Sequence, residues 1–183
     1  MHPALLYLPG RQLSLTELSA ARIDGHVVAV GDAFIPADVI EDADVRASSL
    51  RLLVQPGTAA AGPTAAWIHG AGSEPPGVHH IRRAITRRVR PAINGRLVFH
   101  DAVLDPRDVQ HLGGIAVCAP VRTMLDLALG LHRDPRLGEW IDRLADVLPE
   151  TVSASADILN SWSRVPGSRL ARETLDRIAL RRR

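Results

Sequence analysis

The sequence predicts an α+β protein in which a small N-terminal unit precedes an α/β region with a helical C-terminal half. Its 183 residues suit one domain with a small appendage. Hydrophobic residues make up 46% of the chain and charged residues 23%, a balance that favours a packed core over disorder. Short apolar runs precede Pro120, and helical patterns follow it. Because aromatic residues are only 3% of the chain, we expect a core of small aliphatic side chains.

The first predicted element is a helix that begins after Ser14. Ser14 and Glu17 have the spacing of a capping box, in which each side chain accepts a hydrogen bond from the backbone of the other residue. Apolar residues then recur at helical spacing until Gly25, which suits a left-handed helix stop.

A hairpin and a second helix complete the predicted N-terminal unit. Residues 26–30 and 33–36 have the composition of short strands, and Gly31-Asp32 between them is typical of a two-residue hairpin turn. Residues 43–54 are predicted to be helical. The N-terminal unit therefore covers residues 1–55.

Residues 56–63 are rich in Gly, Ala and Pro, which predicts a break and the best internal boundary of the chain. The second unit then covers residues 56–183. Strands are predicted first in this unit, and helices follow them after Pro120. The predicted strands are 78–81, 96–100 and 115–118, and the predicted helices are 122–131, 136–148, 151–162 and 168–180.

The composition argues against an enzyme and against a metal or cofactor site. Cys118 is the only cysteine and lies in an apolar run, so it excludes an internal disulfide and makes a structural zinc site improbable. A chain without Lys cannot contain the Gly-Lys-Ser/Thr of a phosphate-binding loop. Acidic residues are dispersed rather than convergent. We expect no cofactor, no metal, no small-molecule substrate and no catalytic residue.

The sequence also argues against export and membrane insertion. The first residues lack the basic segment and the long apolar stretch of a secretory signal. No segment approaches the roughly 20 apolar residues of a membrane-spanning helix. We therefore expect a cytoplasmic protein.

A basic run is the most distinctive local feature. It has no acidic residue and contains His79, His80, Arg82, Arg83, Arg87, Arg88 and Arg90. The five arginines predict a surface for nucleic-acid phosphates or for an acidic protein partner. A solvated face of a strand and its turn is the alternative, because all basic residues of the chain are Arg, which GC-rich codon usage alone would favour.

Two smaller features concern the helical half. Arg122 and Asp126 are four residues apart, which predicts an ion pair on one helix face, and Thr123 has a side chain suited to the helix start. Trp140 and Trp162 are candidates for a partner surface, since Trp often anchors interfaces, although Trp at helical spacing is more often part of the core.

Several segments together resemble the AbiEi-type antitoxin family, in its actinobacterial branch. They occur in the family's order and are 64–70, 78–81, 96–100, 108–109, 113–117 and 121–128. The most specific of them is Arg-Thr-x-x-Asp-Leu-Ala at 122–128, behind a strand that starts with two glycines. The resemblance covers about residues 60–130 well and the helical tail loosely.

The resemblance implies a type IV toxin–antitoxin system. Such antitoxins pair an N-terminal winged helix-turn-helix, which represses the operon, with a C-terminal α/β domain that counters a nucleotidyltransferase-like toxin of the AbiEii type. It implies that Arg122, Thr123 and Asp126 are a structural signature. Only one helix and a hairpin match the winged unit here, so we expect a truncated winged-helix-like unit. The alternative is a DNA-binding transcriptional regulator that uses the Arg-rich run and has no toxin partner.

Overall fold

A computed structural model describes residues 6–91, 94–162 and 165–182. Its N-terminal part contains helix α1 (Leu15–Ile23), strands β1 (Val27–Val30) and β2 (Ala33–Pro36), and helix α2 (Ala43–Ser49). Ser14 and Glu17 form the predicted capping box at the start of α1. The two strands pair antiparallel around Gly31-Asp32, as the sequence predicted.

A five-stranded mixed sheet forms the centre of the molecule. Its strands are β3 (Thr58–Ala60), β4 (His79–Arg83), β5 (Leu97–His100), β6 (Val109–Leu112) and β7 (Ile115–Cys118). They lie in the order β5-β4-β3-β7-β6. The pairs β3–β7 and β4–β5 are parallel, and the pairs β3–β4 and β6–β7 are antiparallel.

Helices pack against this sheet and form the C-terminal half. Helix α3 (Gly62–Ile68) follows the central strand directly. The remaining helices are α4 (Pro120–Gly130), α5 (Leu137–Val147), α6 (Glu150–Ser161) and α7 (Ser168–Arg181). Helix α4 packs against α3, α5, α6 and α7, so it connects the sheet layer to the helical layer. The predicted α+β class with a helical C-terminal half is confirmed.

The core consists mainly of aliphatic side chains, as the low aromatic content predicted. One buried cluster joins the sheet to the N-terminal hairpin and α2, through residues such as Ile35, Val45 and Trp67. A second cluster fills the space between α4 and the other C-terminal helices, with Met124 and Leu144 among its members. Because the first cluster contains residues from both sides of the predicted 55/56 boundary, the division into two units stays a prediction.

Two predictions of secondary structure were wrong. The segment 56–63, predicted as a break, contains the central strand β3 and the start of α3, and Ala59 and Ala60 are completely buried. Helix α2 ends at Ser49 instead of continuing to residue 54. Small residues suit Ala59 and Ala60, because β4 and β7 pair with β3 on its two sides. A short Ala-rich strand also has no alternating pattern to reveal it.

The lengths and compositions of the helices bear on membrane insertion. Within the described ranges, no helix combines the length and the apolar composition needed to cross a bilayer.

Candidate functional site

An open cleft of about 260 Å³ lies between the sheet and the turn that joins α4 to α5. Strands β4 and β5 contribute His80, Arg82 and His100 to its wall. Helix α4 contributes Asp126, and the turn after it contributes Arg133. The start of α3 and two leucines close the remaining sides with apolar surface. The cleft therefore brings polar groups from four parts of the chain next to an apolar floor.

Two histidines form a pair in this cleft. The parallel register of β4 and β5 pairs His100 with Arg82, two residues after His80, so the two histidine side chains lie on the same face of the sheet. Their rings stack with centroids 5.2 Å apart, and His80 Nδ1 lies 3.0 Å from His100 Nε2. At this distance one ring donates an N–H to the bare nitrogen of the other.

The surroundings of this pair favour neutral imidazole rings. Burial and the neighbouring His100 lower the pKa of His80 to about 4. Burial also lowers the pKa of His100, and the nearby Asp126 carboxylate only partly offsets this effect. The hydrogen bond between the rings requires that at least one of them be unprotonated, which agrees with both shifts.

An ion-pair network lies beside the histidines and joins the sheet to α4. Arg82 Nη1 donates to both carboxylate oxygens of Asp126, at 2.8 and 2.9 Å. Arg122 Nη2 donates to the same carboxylate at 2.8 Å and so forms the predicted i,i+4 pair. Arg122 also reaches Asp108 at 3.2 Å. The side chains of Arg82, Arg122 and Asp126 are only 15–18% exposed, so water screens these contacts weakly.

The five arginines of the basic run separate into two groups. Arg82 is committed to Asp126, and Arg83 pairs with Asp101 at 3.2 Å and donates to the Asp101 backbone carbonyl. Arg87, Arg88 and Arg90 lie in the loop of residues 84–91 after β4, where all three are exposed. Within the described ranges, none of these three takes part in an ion pair. We call Arg87, Arg88 and Arg90 the cationic loop.

Thr123 lies inside the first part of α4, and its position differs from a helix cap. It is completely buried, and its hydroxyl donates to the Cys118 carbonyl at 3.2 Å. This bond ties α4 to the end of β7. Burial raises the pKa of the Cys118 thiol to about 12, so the side chain stays a neutral thiol at physiological pH.

Trp140 and Trp162 are both half-buried. Trp140 packs against both core clusters, and the guanidinium of Arg143 lies above its ring, 5.4 Å from the centroid. Trp162 packs against the C-terminal cluster. Each ring therefore has one face in the core, and the role of the remaining surface in binding a partner stays a prediction.

Metal and cofactor sites were not expected from the sequence. In the parts of the chain that the structure describes, no three His, Cys, Asp or Glu side chains converge as metal ligands would. The Asp126 carboxylate, which lines the same cleft as the histidine pair, is already shared by two arginines.

Sequence reasoning missed the cleft and its histidine pair. His80 was assigned to the basic run, whereas His100 ended a separate predicted strand. Only the parallel pairing of β4 with β5 brings the two together. Two strands with a histidine each were the available signal, but their register does not follow from the pattern of apolar residues.

Comparison with known proteins identifies one domain family. The family model of the AbiEi antitoxin C-terminal domain matches residues 58–172, well over half of the chain. The match begins at β3, includes the whole sheet and α4 to α6, and ends within α7. It confirms the resemblance found in the sequence. No curated protein matches the chain.

Proposed function

We propose that this chain, which belongs to the AbiEi antitoxin family, neutralises a nucleotidyltransferase-like toxin of the AbiEii type. The family is regulatory and non-enzymatic, and membership supports an antitoxin role in a toxin–antitoxin system. The observation that carries the proposal is the extent of the match, which spans every strand of the central sheet. The proposed place of action is the cytoplasm.

The proposed mode of action is binding of the toxin by the domain that the family model covers. Trp140 and Trp162 belong to that domain and each keeps part of its ring outside the core, which supports their candidacy as partner contacts. The alternative mode is neutralisation without a stable complex, for example through control of toxin expression.

Co-purification distinguishes these modes. The chain is expressed with the product of a neighbouring nucleotidyltransferase-like gene, only one of the two is tagged, and the mixture is separated by size exclusion. The proposal expects co-elution, which Trp162→Ala should weaken. Leu52→Ala is the control, because Leu52 is an apolar side chain 59% exposed outside the matched domain. A folded chain that elutes alone would contradict direct binding.

Operon autorepression is the second part of the proposal, and DNA binding without a toxin is the competing function. Helix α1 followed by the β1–β2 hairpin supports a winged-helix-like unit. The arginines of the cationic loop are exposed and have no ion pair within the described part of the chain, which supports a phosphate contact surface.

A charge-matched pair of variants tests the DNA contact. Replacing Arg87, Arg88 and Arg90 together by Ser should weaken operator binding. It should also reduce the steepness of log K against log salt concentration by up to about 3, because each lost phosphate contact contributes about one unit. The control replaces three arginines that are about 90% exposed and already paired with acids, namely Arg107, Arg136 and Arg169. Equal losses for both triple variants would reduce the effect to net charge and refute the loop assignment.

A transcriptional regulator without a toxin would show strong operator binding and no effect on toxin-induced growth arrest. An antitoxin that also represses its operon would show both effects. The two functions are therefore separated by measuring growth rescue and operator binding on the same set of variants.

A further inference from the structure

The cleft beside the histidine pair has unused hydrogen-bonding groups. The contact between His80 Nδ1 and His100 Nε2 leaves His80 Nε2 and His100 Nδ1, and neither has a partner within the described ranges. His100 is exposed, and His80 is half-buried. Among the described residues that are not exposed, no buried side-chain nitrogen or oxygen lacks a partner, so the unpaired Nε2 of His80 is accessible to solvent. Both nitrogens are therefore available for hydrogen bonds to a ligand in the cleft.

A neutral histidine pair has a fixed number of hydrogen-bond donors and acceptors for a ligand. Two neutral rings carry two N–H groups, and one of them is used between the rings. If His80 donates to His100, the outer nitrogen of His80 is bare and that of His100 carries a proton. If His100 donates, the two outer roles are exchanged. In either tautomer the pair presents one donor and one acceptor.

Positive charge lies at the same cleft. Arg133, at the turn after α4, is exposed and has no ion pair within the described part of the chain. In Arg82, Nε donates to the Ala102 carbonyl and Nη1 donates to Asp126, whereas Nη2 has no partner among the described residues. Asp126 is neutralised by two arginines, and Asp134 at the rim is paired with Arg136 at 2.9 Å. The uncompensated charge at the cleft is therefore that of Arg133.

We propose that this cleft binds the phosphate group of a small phosphate monoester. A singly protonated phosphate has both an O–H for the bare imidazole nitrogen and anionic oxygens for the imidazole N–H and the two guanidinium groups. A carboxylate lacks the O–H and satisfies only the donors. The apolar floor, which includes Leu127 and Leu137, faces the organic part of the ligand.

The volume and position of the cleft support a small ligand. About 260 Å³ is close to the lower end of ordinary ligand pockets. None of the three arginines of the cationic loop lines the cleft, so the proposed ligand site is separate from the nucleic-acid contact considered above. Binding of this ligand requires no toxin partner.

Titration followed by NMR of the histidine ring signals tests the proposal on the full chain. The probes are ribose 5-phosphate, inorganic phosphate and glutarate, each up to about 10 mM at about pH 6, where a monoester is partly protonated. Saturable shifts of both His80 and His100 are expected with ribose 5-phosphate, and weaker ones with glutarate. Shifts with inorganic phosphate alone would overturn the monoester assignment, and no saturable shift with any probe would overturn the site.

Variants locate the binding. Arg133→Ser and His100→Gln should each lower the affinity for ribose 5-phosphate about tenfold, because each variant loses one hydrogen bond or ion pair to the phosphate. Arg169→Ser removes another exposed arginine, on α7, which does not line the cleft, and it should leave the affinity unchanged. His100 is exposed, so His100→Gln should leave the fold intact, and thermal unfolding of the variant checks this. Equal affinity for all three variants would refute the assignment.

Discussion

Replacing Asp126 by Asn removes the negative charge that Arg82 and Arg122 share. The asparagine has nearly the same shape, so the change tests charge and hydrogen bonding without creating a cavity. Both guanidinium groups would face each other across a neutral amide that accepts at only one oxygen. Since this network connects β4 to α4, we expect the free energy of unfolding to fall.

The size of the effect follows from the exposure of the three side chains. Breaking a fully buried ion pair costs about 3–5 kcal/mol, and breaking an exposed one costs about 0–1 kcal/mol. The network is 15–18% exposed and is therefore nearer the buried limit. After allowance for partial screening by water, we expect Asp126→Asn to cost about 2–3 kcal/mol.

Glu173→Gln is the matched control for this variant. Glu173 also accepts from an arginine four residues away on a helix, Arg169, at 2.9 Å. Both side chains of that pair are largely exposed, so its loss should cost less than about 0.5 kcal/mol. Urea unfolding followed by circular dichroism measures both changes. Equal effects of Asp126→Asn and Glu173→Gln would refute the view that this network holds the sheet to α4.

Three further predictions concern stability. The pKa of His80 is lowered from 6.5 to about 4, so between these values the unfolded chain binds a proton that the folded chain does not, and the free energy of unfolding should fall as the pH decreases from about 7 to about 4. His80→Gln should flatten this dependence in urea unfolding at about pH 7 and about pH 5, and an unchanged slope would contradict the assignment. Gly113→Ala should destabilise by about 2 kcal/mol or more, because Gly113 has a φ of +54° and an added Cβ would collide with the Asp44 carbonyl. Gly77→Ala, at an open position, should be nearly neutral, and equal melting temperatures of the two variants would refute the steric argument. Trp67→Ala should cost about 3–5 kcal/mol in the same assay, since Trp67 is completely buried, and a loss below about 1 kcal/mol would contradict its place in the core.

Local signals predicted the elements whose structure depends on nearby residues. The capping box at Ser14, the turn at Gly31-Asp32 and the ion pair of Arg122 with Asp126 all follow from short spacings, and the structure has them all. The four C-terminal helices also follow from their periodicity.

Elements determined by long-range packing could not be predicted in this way. Strand β3 is Thr-Ala-Ala in a segment rich in Gly and Pro, and only its neighbours β4 and β7 make it the centre of the sheet. Strand β6 mixes polar and apolar residues and was missed. The acids that hold Arg82 and Arg83 follow them by 44 and 18 residues, so the sequence showed a basic run where the structure has two ion pairs.

Growth rescue tests the central proposal most directly. The neighbouring nucleotidyltransferase-like gene is expressed from an inducible promoter, and this chain is supplied from a second, unrelated promoter, which removes any contribution of operon repression. The proposal predicts that toxin expression alone arrests growth and that the intact chain restores it, whereas a chain carrying Trp67→Ala restores it poorly. Continued arrest in the presence of the folded, intact chain would contradict neutralisation of this toxin.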